Sequence, residues 1–245
     1  MRLCVCLPLA QSFKLPKMLM GQIAQNRCYA SVIFLIFFLA MAIQFYNTDC
    51  IEFMRTKADN EYDLAIVDPP YGINFAKTHT GKGWTVRESK DWDKEIPPPE
   101  YWEQLFRISK NQIVWGGNYM TEFLPPSMGW IFWDKGQRDF SLADGELAWT
   151  SFNKALRVYE YSRAKLNNNR GGLHPTEKPI DLYRWILQKY AKEGDKILDT
   201  HGGGMTIAHA CDKEGFDLDI CELDKEYFDA GIKRYEQFKA QITLF

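Results

Sequence analysis

The residues best suited to chemistry stand at the end of a short apolar run. In AIVDPPYGINF (65–75), Asp68 leaves the run, Pro69 and Pro70 follow, and Tyr71 closes the group. Each proline fixes its own φ near −65° and neither can donate to a strand ladder. The backbone is therefore stiff where the acid and the aromatic emerge. Two readings fit these four residues alone: a rigid clip that binds something between a carboxylate and a ring, or a Pro-Pro turn capped by an aspartate. A second group lies in KILDTHGGGMTIAHACDKEGFDLDICELD (196–224). There a strand pattern ends at Asp199, three glycines follow, a helical pattern begins near Met205, and a further strand pattern ends at Glu222. In a doubly wound sheet such a glycine turn lets a ligand approach the backbone closely, and the acid ending the next strand binds ribose hydroxyls. This arrangement favours an adenosine-containing cofactor.

Positioning both groups takes strands that end at the same edge. Strand patterns fall at 63–67, 111–117, 129–134, 146–152, 195–200 and 216–224, several of them continuous apolar runs that suit strands covered on both faces. Helical patterns fall between them, at 99–110, 179–192, 205–215 and 225–240. The alternation predicts a doubly wound, mostly parallel, Rossmann-like α/β sheet. Trp115, Trp130, Trp133 and Trp149 fall in the strand patterns and are expected in the core. Residues 134–172, rich in Gly, Asn and Arg and ending in NNNRGG, break the rhythm and read as a small irregular insertion.

DPPY (68–71), HPTEKP (174–179) and the strand–glycine turn near the C-terminus together resemble the DNA amino-methyltransferases that use S-adenosylmethionine. The order is that of the permuted β group, with the catalytic clip first and the cofactor strand last. The resemblance spans nearly all of 44–240. It implies that NTDC (47–50) brings Asp49 and Cys50 to the cofactor adenine. It also implies that HPTEKP closes over the methionine end, with Pro175, Thr176 and Lys178 near its carboxylate, and that Glu222 holds the ribose. Asp68, Asp199, His201 and Gly203 complete the implied cofactor set. The chain departs from the family in its glycine turn, which commonly reads Phe-x-Gly-x-Gly. Here His201 takes the Phe place, Gly203 the first Gly place, and Met205 stands where a second Gly is usual. A side chain at 205 is expected to reshape the cofactor pocket.

The resemblance also gives the clip a task. An exocyclic base amine is a poor nucleophile because its lone pair is delocalised into the ring. Two acceptors aimed at its N–H bonds, the Asp68 carboxylate and the Pro69 carbonyl, would free that lone pair. Pro70 would hold them in place before reaction, and Tyr71 would stack on the base. A base in duplex DNA must leave the stack to reach such a pocket. Lys77, Lys82, Trp84 and Arg87 are candidates to hold the opened strand. Target reading would fall to 134–172, where Arg138, Lys154, Arg157, Arg163 and Arg170 could meet phosphates or bases. The acid in DPPY favours adenine N6, since cytosine-N4 enzymes of this kind more often carry Ser there; N4-cytosine is the runner-up. A catalytically silent cofactor- or DNA-binding regulator is the alternative of another class. No nuclease motif is visible, so a lone modification enzyme and one part of a restriction–modification system both fit.

Bulk properties agree with this reading. The 245 residues carry a formal net charge of −2, but its distribution is uneven. Residues 151–190 hold eight Lys/Arg against three Asp/Glu, while 191–245 hold seven against twelve. Local basic segments on an otherwise acidic chain suit a polyanion patch. The six cysteines show no paired spacing and the four histidines no ligand spacing, so neither a disulfide framework nor a metal site is expected. A reducing cytoplasm fits best. Residues 1–40 lead into an apolar run, 30–43, that is short for a membrane span. A start at Met41 is the favoured reading, leaving 41–245 as one methyltransferase domain; a membrane anchor is the minority one. The tail QITLF, Gln241–Phe245, resembles the peptide by which bacterial proteins dock on the sliding clamp, provided that it is a free extended end.

Overall fold

The structure, a computed structural model, describes residues 42–73, 93–138, 143–162 and 177–242, with side chains described as far as 240. The expectations for residues 1–40, Lys77, Lys82, Trp84, Arg87, Arg163, Arg170, Pro175 and Thr176 lie outside the described residues.

Eight strands form one sheet: β1 (Ile43–Tyr46), β2 (Leu64–Val67), β3 (Gln112–Trp115), β4 (Trp130–Asp134), β5 (Gly145–Thr150), β6 (Arg157–Glu160), β7 (Lys196–Asp199) and β8 (Asp217–Cys221). Their spatial order is β1-β8-β7-β2-β3-β5-β4-β6. Every pairing is parallel except those of β5, which runs antiparallel to both β3 and β4. The helices are α1 (Cys50–Arg55), α2 (Pro99–Ile108), α3 (Ile180–Tyr190), α4 (Thr206–Glu214) and α5 (Lys225–Ile242).

All four residues of β2 are buried, because both faces of the sheet are covered. Leu64 and Ile66 pack in one layer with Ile186 and Leu187 of α3 and Ile207 and Ala210 of α4. Ala65 and Val67 pack in the other with Met54 of α1 and Tyr101 and Leu105 of α2. Each large apolar side chain so buried contributes about 1.5–3 kcal/mol. Trp115, Trp133 and Trp149 are buried and Trp130 partly so. The chain leaves β2 toward α2 on one face and β7 toward α4 on the other. A crevice therefore opens at the carboxyl ends of these two neighbouring strands, the switch point where open α/β sheets bind ligands.

Three elements carry no clear signal in the sequence. Edge strands β1 and β6 are short and partly exposed, with Val158 of β6 at 52% exposure, so their apolar pattern is weak. Helix α1 is six residues long and begins from Asp49, whose Oδ1 accepts the N–H of Ile51 (2.8 Å) and of Glu52 (3.0 Å). Of the stretch 134–172, the described part supplies β5 and β6 to the main sheet, so there the chain continues the sheet instead of leaving it. At the other end α5 runs through Ile242, so Gln241 and Ile242 belong to a helix and the free extended tail needed for clamp docking finds no support. Among the described residues, no helix is long and apolar enough to cross a membrane.

Candidate active site

The clip begins one residue beyond β2. Tyr71 folds back so that its hydroxyl donates to Asp68 Oδ1 at 2.7 Å. Asp93, which sequence reading missed, holds the clip's exit: its Oδ1 accepts the N–H of Tyr71 (2.8 Å) and of Gly72 (3.0 Å). The Tyr71 ring lies against Gly116, whose φ of 66° suits glycine and where a Cβ would fall 2.2 Å from the ring. Tyr119, half exposed on the turn after β3, stacks on Tyr71 with centroids 5.3 Å apart and planes 15° apart. Four residues that read as a stiff turn are thus fixed on three sides.

Lys178 occupies the fourth side. Its side chain is 1% exposed, and its ammonium pairs with Asp68 Oδ2, lies 3.3 Å from Glu146 Oε2 and 3.4 Å from the Tyr71 hydroxyl. The indole of Trp115 lies 4.9 Å beneath it. Glu146 in turn meets Lys135 at 2.5 Å. Burial raises the Asp68 carboxyl above its ordinary value, although the Lys178 charge pulls it back. The sequence placed Lys178 at the methionine end of a cofactor; here its ammonium holds the clip, while its side chain still lines the cavity.

That cavity, about 620 Å³, fills the crevice between the ends of β2, β7 and β8. Asp68, Pro70 and Lys178 line it beyond β2, His201 and Gly203 line it beyond β7, and Asp49, Cys50 and Glu222 line it where β1 and β8 end side by side. Glu222 leaves β8 with Oε2 accepting the Gly203 N–H (2.7 Å) and Oε1 accepting the Asp224 N–H (2.8 Å), so it braces the glycine turn. A Cβ at Gly204 would sit 3.0 Å from Glu177 Oε2, so the turn presents backbone to the cavity. Asp199 lies beneath that turn, 2% exposed, with Oδ1 accepting the His201 N–H at 2.9 Å; burial pushes its carboxyl up to about 8. Tyr101 and the Thr200 hydroxyl share a hydrogen bond of 2.7 Å, and Thr200 shares one of 2.8 Å with His201 Nδ1. Burial pushes the His201 imidazole down to about 4 and the Cys50 thiol up to about 12.

Met205 does not intrude as expected. It adopts a left-handed backbone with φ 56°, the conformation a glycine would take there, while its side chain is fully buried. A Cβ on Gly231 of α5 would meet Met205 Cγ at 2.3 Å, so that glycine makes room for the side chain in the core. The cavity is spared because the bulk points away from it.

Of the cationic candidates, Arg138 follows β4 at the site's end of the sheet but holds Asp134 through two hydrogen bonds of 2.8 and 2.6 Å. Arg157 begins β6, pairs with Ile131 near the start of β4, and so stands at the opposite end of the sheet from Asp68. Lys154 donates to the Lys189 carbonyl at 3.1 Å. Around the clip, sequence reading also missed Tyr119, Lys135 and Glu146, and in the cavity Glu177, Tyr183 and Thr200. Glu146 left a trace, as an acid at the head of a run otherwise read as buried strand, where a charge needs a partner. Among the described residues, no group of three or more His, Cys, Asp or Glu is placed to hold a metal ion.

Comparison with known proteins agrees with this geometry. The DNA methylase family pattern matches residues 114–233. Type II methyltransferase M.HpaI of Haemophilus parainfluenzae is 24% identical over 238 residues, spanning 77% of this chain and 73% of that one. Type II methyltransferase M2.DpnII of Streptococcus pneumoniae is 25% identical over 236 residues, spanning 78% and 88%. Among solved structures, M1.HpyAVI in complex with SAM superposes with a TM-score of 0.51 at 19% identity, covering 79% of this chain and all of that one. The cytosine-N4-specific PvuII DNA methyltransferase gives 0.51 at 13% identity, covering 80% and 87%. These last two likenesses bear on the fold alone.

Proposed function

The chain belongs to the DNA methylase family of N6- and N4-enzymes, and we propose that it transfers a methyl group from S-adenosylmethionine to the exocyclic N6 of an adenine turned out of duplex DNA. The observation that carries this reading is the position of Asp68, fixed by Tyr71 and Lys178 at the wall of a cavity that Glu222 and the glycine turn close on the far side. The residues suit the cofactor: Glu222 is an acid ending the strand after a glycine turn, placed for ribose hydroxyls, and Gly203 and Gly204 let a ligand approach the backbone. Asp49 lines the cavity just beyond β1, the neighbour of β8, for the adenine. When bound, the cofactor supplies an electrophilic sulfonium methyl.

The protein's part is to prepare the amine. Asp68 accepts one N–H and the Pro69 carbonyl the other, which returns the lone pair to the nitrogen. Glu222, Gly203 and Asp49 would hold the cofactor that supplies the methyl to that nitrogen, and the amine proton lost in the transfer would leave to water. No covalent enzyme intermediate is needed, so positioning and preorganised acceptors carry the rate. Tyr71, its ring stacked on Tyr119, serves the acid through its hydroxyl. The inward Met205 removes the one feature that favoured a silent binder, and the intact Asp68 and Tyr71 of the clip count against one.

The acid at the first place of the clip favours adenine over cytosine. Labelled S-adenosylmethionine and mixed-sequence duplex DNA, with product nucleosides identified by mass, test the base directly. N6-methyladenine is expected. N4-methylcytosine would overturn the assignment of the base and keep the reaction class.

A further inference from the structure

We propose that Glu146 is a positioning residue for Asp68: by sharing the one ammonium of Lys178 between two carboxylates, it lets that lysine orient the acid without cancelling its charge. This rests on the reading of Asp68 as the acceptor for the target amine. Lys178 has three N–H donors and three acceptors around it: Asp68, Glu146 and the Tyr71 hydroxyl. At 1% exposure it cannot turn to solvent, and the Trp115 ring closes the side beneath. A lysine so placed with Asp68 alone would form a neutral pair. Such a pair would oppose catalysis, because positive charge develops on the amine nitrogen as it bonds to the methyl carbon. With Glu146 present, Lys178 divides its charge between two carboxylates; Lys135 on the far side of Glu146 brings the row of four charges to neutrality, and in that alternation Asp68 is offset less than Lys178 alone would offset it.

The fold delivers Glu146 for this purpose. β5 runs antiparallel to β3, with Ala148 opposite Trp115, so its first residues fall at the same sheet end as Asp68. Lys135, from the turn after β4, meets the far side of Glu146 at 2.5 Å and lies 4.9 Å from the Trp133 ring. The two lysines hold the Glu146 carboxyl below its ordinary value, so it stays ionised despite its burial. The groups facing Asp68 are Tyr71 from the clip, Lys178 from the segment before α3, Glu146 from β5, Tyr183 from α3 and Asp199 from β7. Of these, Glu146 is the acid that touches Lys178 without lining the cofactor cavity.

The test compares the full chain with Glu146→Gln, which keeps size and an acceptor oxygen but removes the charge. Two readouts are taken: the titration midpoint of the Asp68 side-chain carboxyl by carbon-13 NMR, and methyl transfer to duplex DNA. Loss of a neighbouring negative charge lowers the Asp68 midpoint, and the acid limb of the kcat–pH profile moves to lower pH with it. kcat is expected to fall about ten- to a hundredfold, the rate equivalent of one charge-assisted hydrogen bond lost beside the reacting group. KM values for cofactor and DNA stay near those of the unsubstituted chain. Glu146→Asp, which keeps the charge and withdraws it by one methylene, should fall between the two and serves if Glu146→Gln does not fold. An unmoved Asp68 midpoint overturns the inference whatever the activity, as does a lowered midpoint with full kcat. An unsubstituted chain that moves no methyl to any duplex overturns the proposed function and this positioning role together.

Discussion

At the scale of single residues, the site separates holding from reacting. Asp68 and the Pro69 carbonyl act on the base, while Tyr71, Asp93 and Lys178 hold them. A hydrogen bond to a charged group is worth about 1.5–3 kcal/mol, so Tyr71→Phe, which removes the 2.7 Å bond to Asp68 and keeps the ring, should lower kcat about tenfold. DNA affinity, measured by fluorescence anisotropy, should hardly change. His201 makes a separate prediction about acid stability. Its folded imidazole titrates at about 4, below an unfolded value near 6.5. Between those values the unfolded chain binds more protons than the folded one, so stability is complete above about 6.5 and is lost as pH falls toward 4. His201→Phe should lessen the difference in unfolding free energy between pH 7 and pH 4.5 by about 2 kcal/mol. Denaturant unfolding at both pH values checks it; His209, buried and shifted in the same direction, supplies a similar slope that remains in both proteins.

At the scale of elements, the strands that carry the site were legible because β2 is a continuous apolar run closed by an acid and prolines, and because β7 and β8 flank a glycine turn and end at or just before acids. β2, β7 and β8 stand within a few residues of their expected spans, and their ends meet in the crevice where Asp68 and Glu222 were looked for. What stayed hidden depends on contacts distant in sequence. Nothing near Lys178 announces Glu146, thirty-two residues earlier on the one antiparallel strand. Nor does anything near Met205 announce Gly231, which clears a place for it in the core. Replacing glycine by alanine within a helix ordinarily stabilises by about 1 kcal/mol. Gly231→Ala should do the reverse, destabilising by about 1–3 kcal/mol, because its Cβ would overlap Met205. A rise in the denaturant midpoint would show that Met205 does not point where the structure puts it.

At the scale of the whole molecule, the cavity lies between strands whose connections depart to opposite faces, so a ligand there braces both layers of the sheet. A ligand that binds only the folded chain at a hundred times its Kd adds about 2.7 kcal/mol of apparent stability. S-adenosylmethionine should therefore raise the Tm by several degrees, and Glu222→Ala, which removes the acid facing the cavity, should abolish most of that rise. The interior strands of the sheet were legible in the alternation of strand and helix, and its edge strands β1 and β6 were not. The ligand's surroundings were legible only in part, since the clip's partners come from β5, the turn after β3 and the start of the segment leading to α2. The central claim is that the Asp68 carboxylate activates the amine. It is tested most directly by single-turnover methyl transfer with Asp68→Asn at saturating S-adenosylmethionine and DNA, with cofactor affinity measured on the same protein. Loss of about two to three orders of magnitude in rate, persisting when the cofactor is saturating, is the predicted result; a rate equal to that of the unsubstituted chain would contradict it.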